Sequence, residues 1–177
     1  RLPLVVQKEA VLRMIDTTTN IKHKLLITLL YSSGLRVSEA VKMKMADINT
    51  MRKCAIVRQG KGGKDRVVIL SDTFLQLLED FLPLRKRESD YIFYSDRPDK
   101  AHISVKTAEK VVENAARKVG IRAYCHALRS SFATHLLENG SDVHYVQRLL
   151  GHSSIRTTQG YLRVADSSLL KVKSPID

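Results

Sequence analysis

The chain has 177 residues and is short of several things a protein of its size can have. It holds two cysteines, Cys54 and Cys125, far apart in sequence. They cannot form a disulfide framework, and with no second CxxC or HxxxH they do not complete a zinc set, although Cys125 adjoins His126. Their scarcity points to a reducing, intracellular compartment. No apolar run reaches the length of a membrane span: "KLLITLLY" is short and bounded by charge. The start, "RLPLVVQKEAVLRMI", is amphipathic and has no cleavage region, so it is not a signal peptide. It lacks an initiator methionine, so a fragment of a longer chain is expected. GxxxxGK[ST] is absent, which excludes a P-loop nucleotide site. No acidic cluster suited to Mg²⁺ is evident, and a two-metal nuclease needs several carboxylates near its phosphate.

Acidic residues are also outnumbered. Thirty Lys and Arg face 18 Asp and Glu, a formal net charge of +12. In a domain this small, such an excess points to a polyanionic partner, most often nucleic acid. A solvated basic surface without chemistry is the plain alternative. The apolar fraction, 44%, is that of an ordinary globular protein, and the length suits one domain with a real core.

Periodicity predicts helices over 7–18, 21–34, 36–48, 71–82, 104–120, 126–140 and 142–151, several with a glycine just past the end. Ser71 or Asp72 caps the fourth, which Pro83 ends. The β-branched runs "CAIVR" (54–58) and "RVVIL" (66–70) flank "QGKGGKD" and predict a hairpin with a glycine-rich tip. "YIFYS" (91–95) is expected as a third strand. The fold class is mainly α with a small three-stranded antiparallel sheet, as one domain over 1–177. The tail, 165–177, is expected to add a helical turn or two.

Six side chains carry the chemistry. Arg36 follows a turn, Lys61 sits at the hairpin tip, and His126 and Arg129 share one helix face. His152 follows a helix-ending glycine, and Tyr161 stands after Gly160 among hydroxyls and basic groups. Each alone has an ordinary reading: a solvated arginine, a mobile lysine, a capping histidine with a surface ion pair, a satisfied imidazole, a packed tyrosine. Together they describe one reaction at a phosphodiester. Two arginines offer bidentate donors to the phosphorane oxygens at every working pH, and a histidine adds a donor. The tyrosine oxygen attacks, a second histidine takes its proton, and the lysine protonates the departing 5′ oxygen.

With these residues in order, the chain resembles the catalytic domain of tyrosine recombinases (the phage-integrase family), most closely the Xer-like branch. "SSGLRVSEAVKM", "GKGGKDRVVIL", "HALRSSFATHLLENG" and "VQRLLGHSSIRTTQGYLRV" look like that family's four motif regions, in its order, across roughly 32–164. The resemblance implies a catalytic set of Arg36, Lys61, His126, Arg129, His152 and Tyr161, with no metal and no cofactor. Tyr161 is expected to form a 3′-phosphotyrosyl link and release a 5′-hydroxyl. Arg36 and Arg129, with His152, are expected to clamp the scissile phosphate. Lys61 is the expected general acid, preferred over Lys64 by its place in "GKGxK", and His126 assists proton transfer at the tyrosine.

Two positions depart from the usual pattern, Cys125 where proline is common and Ser130 where histidine or lysine is common; neither removes a reacting group. The resemblance implies an N-terminal core-binding domain that lies outside this chain, with "RLPLVVQKEA" expected as the join. The resemblance further implies double-stranded DNA as partner and a homo-tetramer on two DNA sites, a monomer or dimer off DNA. It also implies a cytoplasmic, bacterial or archaeal setting at the nucleoid. The segment 165–177 is the candidate for exchange between subunits, with Leu169, Leu170 and Val172 as its apolar face; a frayed tail is the alternative. Lys106, Lys110, Arg117 and Lys118 are expected to serve phosphates or a groove. Site-specific DNA recombination is the expected function, in chromosome segregation or DNA integration. A type IB topoisomerase and a non-catalytic DNA-binding integrase remnant are the competing readings.

Overall fold

The structure is a computed structural model and describes residues 3–58, 63–151 and 172–177. Helix α1 (Lys8–Thr17) buries Ala10, Val11, Met14 and Ile15, the one-sided stripe of an amphipathic helix. Helix α2 (Ile21–Ser33) starts where the Asn20 side chain accepts from the His23 backbone N–H at 3.1 Å. It is apolar on every side, and Leu25, Leu26, Ile27, Leu29 and Leu30 are all fully buried. A helix of that kind must lie at the centre, and α2 indeed packs against α1, α4 (Asp72–Phe81), α5 (Val105–Lys118) and α6 (Cys125–Glu138). Burying each such leucine contributes about 1.5–3 kcal/mol before chain entropy is counted.

Gly34 ends α2 in the left-handed region at φ 65°, with its Cα against the ring of Phe132; an added Cβ would lie 2.3 Å from that ring. Helix α3 (Val37–Val41) follows and is short. The pattern over 36–48 predicts one helix. The structure instead has α3, a 3₁₀ turn at Met45–Asp47, and a two-residue strand, β1 (Ile48–Asn49).

That strand corrects the expectation for the sheet. The three-stranded antiparallel sheet runs β1-β2-β3, with β2 (Cys54–Val57) and β3 (Arg66–Ile69) as the predicted hairpin. The stretch 91–95 is not a strand: Tyr91 bridges Lys44 and Tyr94 bridges His102, each as an isolated pair. Ile92 and Phe93 are both buried although adjacent, so the segment lacks the alternation that a ladder against one core requires. The other helices start and stop close to the predicted bounds. Ser71 caps α4 and Ser104 caps α5, and α7 (Val143–Leu150) ends at Gly151, φ 74°.

β3 divides the interior. Val68 and Leu70 face the large core around α2, whereas Val67 and Ile69 face a second cluster with Phe132, Leu136, Val146, Leu149 and Leu150. The period of two along β3 thus fastens α6 and α7 to the sheet. Of the tail, residues 172–177 are described and form no helix. They lie against their own chain: Asp177 accepts from the Asp72 and Thr73 backbone N–H groups at the start of α4, at 2.8 and 3.3 Å. Among the described residues no helix is long and apolar enough to cross a membrane.

Candidate nucleic-acid cleavage site

Three of the six expected residues lie within the described structure. Arg36 is the N-cap residue of α3, brought there by the turn that Gly34 makes possible. Arg129 and His126 are on α6, with His126 exposed in the first turn and Arg129 one turn on, 5% exposed. Lys61, His152 and Tyr161 lie outside the described residues; the flanks that carry them are β2 and β3 for Lys61 and the end of α7 for the other two.

Arg36 is held by a residue that sequence reasoning missed, Glu39, whose charge Arg129 also feels. Its carboxylate, 7% exposed, accepts from Arg36 Nη1 at 3.0 Å and from the Arg36 backbone N–H at 2.8 Å. A second missed residue, Arg66, grips the same carboxylate with Nη1 at 2.6 Å and Nη2 at 2.8 Å. Burial pushes the Glu39 carboxyl up. The hydrogen bonds and charge of Arg66, followed by the bonds from Arg36, outweigh it and hold the group below the usual carboxylate range. Glu39 is therefore an anion.

Arg129 donates from Nη1 to Gly34 O and from Nη2 to Leu150 O, both at 2.6 Å. Its pKa is drawn down to about 10, first by burial and then by the charges of Arg36 and Arg66, against the pull of Glu39. It stays protonated at neutral pH. Arg36 and Arg66 share the Glu39 carboxylate, and Arg129 lies close enough to feel the charge of all three, so positive charge is concentrated in a partly buried setting. An arrangement of that kind is costly by itself and suits an incoming anion with several acceptor oxygens, such as a phosphodiester. Arg36 keeps 27% of its side chain exposed and lies on the wall of an open groove of about 800 Å³. Further along the groove are Lys42, Lys44, Tyr91, His102, Asp65 and Arg58, the last paired with Asp47 at 2.6 Å.

The signals for the missed pair were faint. Glu39 is the third helical residue after Arg36, an N-terminal capping position, and Arg66 is a charged residue opening a buried β-branched run. Cys125, the first departure from the family pattern, is the first residue of α6. That position needs no N–H partner, which is why proline is common there and why cysteine serves as well. Its thiol is 5% exposed and pushed up to about 12 by burial and by Glu109 and Glu113, so it is inert at neutral pH.

Residues 5–168 match the model of the Phage integrase family. The chain belongs to that family. Among family relatives, the tyrosine recombinase XerA of Pyrococcus horikoshii is 42% identical over 169 residues, 95% of this chain and 59% of that protein. A crystal structure of XerA recombinase superposes with a TM-score of 0.78 at 30% identity, over 91% of this chain and 60% of that one. XerH site-specific recombinase bound to difH substrate, in a pre-cleavage complex, gives 0.74 at 29% identity, over 94% of this chain and 53% of that one. The fold is thus that of the phage-integrase catalytic domains, and the chain spans about three-fifths of the length of the curated relatives it matches.

Proposed function

We propose that this chain is the catalytic domain of a site-specific DNA recombinase that cuts and rejoins DNA through a covalent phosphotyrosine. The observation that carries the reading is the cationic cluster: Arg36 bonded to the Glu39 carboxylate, Arg129 within reach of both charges, and Arg36 on the wall of an open groove. The family membership and the recombinase relatives support it over a topoisomerase or a binding remnant.

In this reading the scissile phosphate sits against Arg36 and Arg129, whose charge meets the negative charge that builds on the non-bridging oxygens. The Tyr161 oxygen attacks phosphorus and its proton passes to His126. The bond to the 5′ oxygen breaks, and Lys61 supplies the proton to that oxygen. One phosphodiester is exchanged for another, so the step needs no external energy source, and rejoining is its reverse with a different 5′-hydroxyl. His152 adds a donor to the phosphate. A metal has no part in these transfers.

The working unit we propose is four copies on two duplexes, acting in the cytoplasm of a bacterium or archaeon. Exchange of 165–177 between copies requires the Asp177 contacts with α4 to be released or remade with a neighbour. The test of the function is covalent capture: the full chain is incubated in EDTA with a pool of nicked duplexes of random sequence. A denaturation-resistant protein–DNA adduct that Tyr161→Phe abolishes is expected. Tight binding without any adduct would leave a DNA-binding module instead.

A further inference from the structure

Arg66 opens β3, and its side chain is 5% exposed. All three of its guanidinium nitrogens are engaged. Two hold Glu39, and Nε donates to Leu149 O at 2.8 Å. The residue joined to it, Glu39, is the one that orients Arg36 from both backbone and side chain. The carbonyl joined to it belongs to the last turn of α7, whose next carbonyl, Leu150 O, is held by Arg129. Gly151 sits against the same side chain: an added Cβ would lie 3.0 Å from Arg66 Cδ. One arginine on the hairpin thus touches the support of Arg36 and the point from which the chain leaves toward His152.

We infer that Arg66 is a positioning residue for strand cleavage: through Glu39 it sets the Arg36 guanidinium, and through Leu149 it fixes the end of α7 beside Arg129. The phosphate clamp is then assembled only while hairpin, α3 and α7 are locked together. A purely structural ion pair is a different case. A buried arginine–glutamate pair contributes little net stability and is often replaced by apolar side chains without loss. Nothing in that case requires the third nitrogen to hold the end of α7, or Glu39 to carry a second arginine that lines the groove.

The inference rests on the proposed function, and the experiment separates the two. In the full chain, Arg66→Met and Arg66→Lys are compared with the native protein in single-turnover cleavage of a nicked duplex chosen by covalent capture. The duplex is made with an ordinary scissile phosphate and with a neutral methylphosphonate there. With the phosphate, Arg66→Met should bind DNA within about threefold of native yet cleave about 100-fold more slowly, the size of effect seen when one charge-stabilising donor is lost. On the methylphosphonate, which has no charge for Arg36 to meet, the deficit should shrink to less than about tenfold. Arg66→Lys keeps the charge but not the fork, and should fall between the two. Native-like cleavage by Arg66→Met, an equal deficit on both substrates, or a loss of binding that accounts for the slower rate would each overturn the inference. Should Arg66→Met fail to fold by circular dichroism, Arg66→Lys decides, and native-like cleavage by it overturns the inference. Absence of any adduct with the native chain removes the proposed function and this inference together.

Discussion

Arg66 and Arg129 hold adjacent links of one backbone: Arg66 Nε donates to Leu149 O at 2.8 Å and Arg129 Nη2 to Leu150 O at 2.6 Å. The last carbonyls of a helix have no partner within it and form the negative end of its dipole. Two guanidiniums satisfy them here and are themselves partly compensated by them. On the proposed function the charges that close α7 also face the phosphate, so packing and chemistry would draw on the same side chains.

On the proposed function each clamp arginine meets charge that builds in the transition state, so removing either should slow cleavage by about 100- to 1000-fold. The two differ in stability. Arg129→Ala leaves Gly34 O and Leu150 O without their donors and should cost about 1–3 kcal/mol. Arg36→Ala, at a side chain 27% exposed, should leave the unfolding midpoint nearly unchanged. Single-turnover cleavage beside urea denaturation checks both.

Gly34→Ala should be among the more damaging single-methyl changes in the chain. The left-handed backbone costs about 1–2 kcal/mol for an L side chain. The added carbon would also meet the fully buried Phe132 ring at 2.3 Å. A lower urea midpoint with unchanged slope is the expected result.

Acid should weaken the fold in a defined window. His135 shares a 2.7 Å hydrogen bond with Tyr31, and burial holds its pKa below 6.5, with Lys8 lowering it further and Glu138 and Glu9 opposing. His23 is lowered as well, by burial and then by Lys22. With folded values below the unfolded ones, the unfolded chain binds protons first as pH falls. Stability is thus full above about pH 6.5 and declines below it. Melting temperature should drop between pH 7.5 and 5.5, and His135→Gln should flatten the slope.

Cys125→Pro should change little. The residue opens α6, and Tyr124 before it is extended at φ −140° and ψ 168°, as a residue preceding proline prefers. Stability within about 1 kcal/mol of native and unaltered cleavage are expected.

The helices were legible because each carries its own punctuation: Asn20 and Gly34 around α2, Ser104 before α5, Asp142 and Gly151 around α7. The third strand was not. β1 is two residues long, too short for any period to register, and it exists because β2 offers it an edge. The tyrosine-rich run 91–95 resembles a strand by composition, but its tyrosines are occupied otherwise: Tyr94 stacks on Phe81 beneath Lys22, and Tyr91 lies beside His102. At the site, Arg36 and Arg129 could be read from their chemistry and the order of motifs. Glu39 and Arg66 could not, because their roles arise from contacts across 27 residues, from Arg66 to Glu39, and 83, from Arg66 to Leu149.

The central step of the proposed reaction is a bond between a tyrosine oxygen and a DNA phosphate, and mass spectrometry of the captured adduct tests that bond directly. After nuclease and trypsin digestion, the peptide 157–163, which contains Tyr161, should carry the added mass of a nucleotide joined through its 3′-phosphate, with a free 5′-hydroxyl on the other fragment. An adduct on any other residue, or attachment through a 5′-phosphate, would contradict the account.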